Sequence, residues 1–200
     1  MKDFDFEQEL INAKKWEQLA VKELQPFMLH TKLIEYSENP EIQKAGIDVI
    51  TTPHSITYDV KTRMKYYPDI LIETVSNIER NIPGWWYTSK ADALVYHWLN
   101  SQKNRSLKLY IIALQMLRDM DFLNNVLAMH PEIELKKSSS NNGTWHTAFY
   151  TVPINLFPQD CIAELPPLVT QMTFDDSSDF ERKVWAILGI KDWYVSGRLH

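Results

Sequence analysis

The stretch that decides the fold runs from Gly46 to Arg63. It reads Gly46-Ile47-Asp48-Val49-Ile50, then Thr51-Thr52-Pro53-His54-Ser55, then Ile56-Thr57-Tyr58-Asp59-Val60-Lys61-Thr62-Arg63. A Pro-containing polar segment between two β-branched runs reads as strand, turn, strand. Residues i and i+2 of a strand share a face, so Asp59 and Lys61 stand side by side. Pairing of the two strands brings Asp48 next to them. A third strand candidate, Asp69 to Val75, follows Tyr66-Tyr67-Pro68 and carries another acid, Glu73. The simplest arrangement of the three is an antiparallel meander, which sets Glu73 on a strand beside the lysine strand.

Working outward, residues 5 to 27 place Phe6, Leu10, Ile11, Trp16, Leu19, Ala20 and Leu24 at helical spacing, with Pro26 at the end. Residues 28 to 38 read as a strand entering a turn at Asn39-Pro40. After the meander, Pro83-Gly84-Trp85-Trp86-Tyr87-Thr88-Ser89-Lys90-Ala91-Asp92 opens an expected helix from Lys90 to Leu99, capped by Thr88 or Ser89. Ala91, Leu94, Val95 and Trp98 form its apolar face, and Asp92 in the first turn suits the helix dipole. Leu107 to Leu114 follows as a strand, or strand then helix, and Met116 to Ala128 as a helix stopped by Pro131. A polar loop runs from Lys136 to Gly143 and a strand from Ala148 to Ile154. Leu156 to Ile162 starts a short helix. Residues 1–168 make one expected domain, and 169–200 an appended segment with one short helix, Phe180 to Leu188.

Composition narrows the class. The 200 residues are 44% hydrophobic and 24% charged, which suits a globular domain with a sizeable core. Seven Trp, nine Tyr and eight Phe can build that core or stack on bases. The single cysteine, Cys161, rules out an internal disulfide and a Cys-based zinc site. No segment reads as a signal peptide or membrane span, so the expected setting is cytoplasmic, away from the membrane. The net charge of −5 argues against a uniformly basic surface. Lys61, Arg63, Lys65, Lys90, Lys103, Arg105 and Lys108 nevertheless gather around the central motif, while acids concentrate near the ends. There is no nucleotide-binding glycine loop, and the six histidines lack metal-ligand spacing.

Two carboxylates and an ammonium at one place are what metal-dependent phosphodiester hydrolysis needs. The order Gly-Ile-Asp48, Asp59-Val60-Lys61, a strand ending in Glu73, then Gly84-Trp85 and Ala91-Asp92 resembles the PD-(D/E)xK nuclease superfamily, in its phage and bacterial forms. The resemblance covers roughly residues 5 to 165. It departs where Ile47 replaces the proline often found before the first Asp.

The resemblance implies a restriction-endonuclease-like α/β fold, a mixed central sheet flanked by helices. It implies a Mg²⁺- or Mn²⁺-dependent deoxyribonuclease acting on DNA through a metal-activated water. Asp48 and Asp59 would bind the cation, with the Val60 carbonyl as a further oxygen ligand and Glu73 within reach. Lys61 would position the attacking water. In this superfamily the helix before the sheet often supplies a glutamate; Glu17 in Lys14-Lys15-Trp16-Glu17 fits, with Glu23 and Glu35 as competitors. Arg63 and the expected helix start at Thr88, Ser89 and Lys90 would meet DNA phosphates. Trp85, Trp86 and Tyr87 would stack on a splayed base or pack as core. Cutting both strands of a duplex usually takes two sites, which allows a homodimer. The alternative is a non-catalytic nucleic-acid- or protein-binding module on the same scaffold. As surface residues, Asp59 and Lys61 would tolerate alanine within about 1 kcal/mol of stability.

Overall fold

The computed structural model describes residues 6–35, 39–139, 145–166 and 174–190, with side chains from residue 11 and, in the last segment, from 175. The chain is a mixed α/β protein whose central mixed sheet is flanked by helices. Six strands form that sheet in the order β1 (Lys32–Glu35), β2 (Val49–Thr52), β3 (Thr57–Arg63), β6 (Ala93–Leu99), β7 (Ser106–Ala113) and β10 (Ile162–Glu164). Only β3 and β6 run parallel. A second, antiparallel sheet has the order β5 (Ile82–Pro83), β4 (Asp69–Asn77), β9 (His146–Pro153) and β8 (Lys136–Ser139).

Alternation along β3 and β6 divides the interior in two. Tyr58, Val60, Ala93 and Val95 face a core closed by α1 (Phe6–Leu24) and α6 (Phe174–Ile187). Leu94, Tyr96 and Trp98 face a second core with Ile70, Ile72 and Val152 of the second sheet. This core also takes Leu117 of α4 (Leu114–Asp119) and Phe122, Leu123 and Val126 of α5 (Phe122–Met129). Asp59 and Lys61 share the strand face that fronts the second core.

Several expectations give way here. The hairpin of β2 and β3 forms, but β4 is not its third strand. The link Met64–Pro68 carries the chain to the second sheet, and β6 takes the place beside β3. The expected helix Lys90–Leu99 is strand β6. Its residues Ala93 to Leu99 are buried on both faces. A run buried at every position has no polar–apolar period of its own, so helical spacing within it is accidental. The helix that does form is α3 (Trp85–Thr88), which ends where a start was expected. Asp92 is no first-turn acid. Its carboxylate accepts from Thr57 N at 2.8 Å and Thr57 Oγ1 at 2.7 Å, fixing the start of β6 beside β3.

Smaller differences have local causes. Only four residues of the strand expected over 28 to 38 pair as β1, residues 25–27 are a 3₁₀ turn, and 36–38 lie outside the described residues. Helix α2 (Pro40–Lys44) arises because Asn39 caps it, accepting from Glu41 N and Ile42 N. The single helix expected over Met116–Ala128 is two, split at Asp121 with φ 50°. The short helix over Leu156–Ile162 is a 3₁₀ turn at Ile154–Leu156 and strand β10. The loop from Lys136 begins as β8; residues 140–143 lie outside the described residues. Helix α6 begins before Phe180 and is integral to the first core through Phe180, Val184, Trp185 and Ile187. Among the described residues no helix is long and apolar enough to cross a membrane.

Candidate active site

The site begins where β2 and β3 part. Their pairing ends at Val49↔Tyr58, with Asp48 N donating to Tyr58 O at 2.9 Å. One step further, Val60 N donates to Asp48 Oδ2 at 2.7 Å, so a side chain replaces the ladder partner. N–H and C=O of one strand residue point to the same edge. The Val60 carbonyl therefore also opens onto the gap that β2 leaves. Gly46 makes the preceding turn possible: its φ is +66°, and a Cβ there would lie 3.0 Å from Ser89.

Asp59 is the buried member, 1% exposed, and no hydrogen-bond donor reaches its Oδ2. Lys61 Nζ lies 2.6 Å from Asp59 Oδ1, which makes an ion pair. Burial lowers the Lys61 pKa, but Asp59, Asp48 and Glu73 outweigh it and raise it above the ordinary lysine value, so the ammonium is held protonated. Asp48 is pushed up to about 6, first by burial and then by the Asp59 carboxylate, against the Val60 N–H and Lys61. Glu17 is pushed up to about 7, first by burial and then by Asp48, with Glu35 and Asp59 adding and Lys61 opposing. Glu17 is thus electrically part of the group.

Glu73 joins from the other sheet rather than from a neighbouring strand. Burial raises its pKa, while the Trp85 N–H, Lys61 and Ser76 lower it. Gly84 lies directly against its backbone: a Cβ there would sit 2.3 Å from Glu73 O. The corner that follows, Gly84 to Lys90, meets Glu73, Lys61 and the turn before Asp48. The Trp85 ring lies 5.8 Å from Lys61 Nζ. Ser89 Oγ donates to Gly46 O at 3.1 Å, and Lys90 N to Ala45 O at 2.7 Å.

These contacts reassign the residues expected to meet DNA phosphates. Ser89 is buried and braces the Asp48 turn. Thr88 and Lys90 are exposed, but at the end of α3, where no helix N-terminus exists to attract an anion. Arg63 is half-buried, ion-paired with Asp69 and 5.3 Å from the Tyr67 ring. Trp86 is packed at 5% exposure, whereas Tyr87 is 61% exposed. Of the competitors for Glu17, Glu23 is spent on Ser106 N at 2.9 and 3.1 Å. His97 is buried with both ring nitrogens engaged, by Thr62 Oγ1 and Ser106 Oγ. Sequence reasoning missed Arg118, which donates to Ser89 O at 2.6 Å and Trp85 O at 3.2 Å, and also to Trp86 O. Nothing local in the sequence signals it, because its partners are carbonyls about thirty residues away.

Among the described residues no three His, Cys, Asp or Glu side chains converge closely enough to hold a metal ion as they stand. The donor set suits Mg²⁺ in a different way. That ion takes one or two carboxylates and completes its shell with water and substrate oxygens. Asp48, Asp59 with its undonated buried oxygen, and the Val60 carbonyl are the oxygens that would hold such an ion. Compared with models of known protein families the chain matches none, and no curated protein matches it.

Proposed function

We propose that this protein is a metal-dependent nuclease with a restriction-endonuclease-like fold, hydrolysing DNA phosphodiester bonds at the Asp48–Asp59–Lys61 site. The observation that carries the reading is Asp59. A carboxylate 1% exposed, beside a second carboxylate and one lysine, is costly to keep unless something uses it. Asp48, Asp59 and the Val60 carbonyl would hold Mg²⁺ or Mn²⁺, with Glu73 at the margin. When bound, the ion supplies Lewis acidity and neutralises phosphate charge.

The remaining work belongs to the chain. Lys61, kept as an ammonium, can donate to the oxygen that gathers charge in the transition state. Its hold on Asp59 Oδ1 orients it from below. Glu17, titrating near neutrality, is suited to take the proton released by the attacking water. Lys65, Tyr66 and Tyr67 lie exposed beyond Arg63 and would meet the flanking DNA.

The test is incubation of purified protein with linear, circular and single-stranded DNA, with Mg²⁺, Mn²⁺ or EDTA, beside Lys61→Ala. Metal-dependent degradation lost in the variant is expected, and the substrate pattern separates exonuclease from endonuclease action. Equal degradation by both proteins would place the chemistry elsewhere. No cleavage of any substrate would favour a binding module.

A further inference from the structure

We propose that Arg118 is a positioning residue for this site, acting through the Gly84–Lys90 corner. Arg118 stands on α4, and its guanidinium binds three corner carbonyls, those of Trp85, Trp86 and Ser89. It also lies 5.7 Å from the Trp86 ring. Trp85 O already accepts from Ser89 N at 3.0 Å, and the planar fork joins it to the carbonyls of Trp86 and Ser89. The corner so held has two further attachments. On one side, Gly84 N donates to Thr74 O at 2.9 Å, Gly84 abuts Glu73, and the Trp85 ring faces Lys61. On the other, Ser89 and Lys90 bind the carbonyls of Gly46 and Ala45, just ahead of Asp48.

Arg118 therefore braces the corner that joins the hairpin carrying Asp48 and Lys61 to Glu73 on the other sheet. Lysine cannot substitute, because an ammonium lacks the planar fork that spans these carbonyls. Residues that orient such a site commonly change activity by about 10- to 100-fold without touching the substrate.

The test is hydrogen exchange and steady-state cleavage on full-length Arg118→Lys, with Ser89→Ala as a second variant that removes the hydroxyl's bond to Gly46 O and the one it accepts from Ala91 N, leaving the Arg118 contacts in place. The activity arm rests on the nuclease reading; the exchange arm does not. For Arg118→Lys, amide exchange at residues 84–90 and 45–49 is expected to rise about tenfold or more, with β9 unchanged. The kcat is expected to fall about tenfold or more, with KM within about twofold. Ser89→Ala should show faster exchange at 45–49 and at Ala91, with 84–88 unchanged, and a smaller loss of kcat. Wild-type exchange at 45–49 in Arg118→Lys would overturn the proposal. If Arg118→Lys fails to fold, Ser89→Ala decides: wild-type exchange and kcat in it would overturn the proposal. If the wild type cleaves no DNA, the functional reading fails while exchange still decides the role of Arg118.

Discussion

At the scale of single residues, Asp59 is buried rather than at the surface, while its ion-pair partner Lys61 stays 30% exposed. Lys61→Ala leaves the buried Asp59 carboxylate without its cation, and an uncompensated buried charge costs about 3 kcal/mol rather than 1. Chemical denaturation at pH 8 measures this. Asp59→Asn has opposed effects. Asp59 helps to raise the pKa values of both Glu17 and Asp48, so removing its charge relieves repulsion there, but it also takes away the carboxylate paired with Lys61. A smaller loss of stability than for Lys61→Ala is expected, because Lys61 is 30% exposed and can be solvated, together with loss of cleavage. Glu17 adds a pH dependence with a definite sign. Its carboxyl titrates near 7 when folded against an ordinary 4.5, so the folded state binds the proton more tightly. The native state therefore loses stability relative to the unfolded chain as pH rises from about 4.5 to about 7. Glu17→Gln should raise stability by about 2 kcal/mol at pH 8 and leave it almost unchanged at pH 4. By the same linkage, metal binding should release protons and tighten as pH rises through about 6 to 7. Titration of Mn²⁺ at several pH values reads this out.

At the scale of elements, the corner is the most constrained piece of backbone. Gly84→Ala would drive a Cβ into the Glu73 backbone, where no side chain can yield. A loss of about 3 kcal/mol or more is expected by denaturant titration, with cleavage impaired even where the protein stays folded. The elements also show what sequence can reveal. The β2–β3 hairpin was legible because its turn residues, alternation and charged strand face all point the same way. Strand β6 was not, because burial on both faces erases periodicity and leaves Ala91, Leu94, Val95 and Trp98 mimicking a helix. Strand β4 was recognisable as a strand, but its sheet was not, since partner choice depends on contacts with β9 about eighty residues later. The candidate site fared similarly. Asp48, Asp59 and Lys61 sit within one hairpin and were readable from spacing. Glu73 and Arg118 depend on the packing of separate layers.

At the scale of the whole molecule, α6 ties the end of the described chain back to its beginning. Phe180 meets the Phe27 ring at 5.5 Å, and Trp185 is 1% exposed in the first core. Glu181, 2% exposed, accepts from His30 N and Thr31 Oγ1 at 3.0 Å each. Trp185→Ala should cost about 3–5 kcal/mol and unfold both layers together, seen as a single cooperative transition by circular dichroism. The two cores share the central sheet, so the acidic site lies on a scaffold supported from both faces. The most direct measurement compares cleavage of linear DNA by wild type and Asp59→Asn at pH 8 with Mg²⁺, beside EDTA controls and melting curves for both. Metal-dependent cleavage by the wild type, absent from a fully folded Asp59→Asn, is the expected result. Cleavage by Asp59→Asn at the wild-type rate, or none by the wild type with any divalent metal, would contradict a hydrolytic site built on this carboxylate.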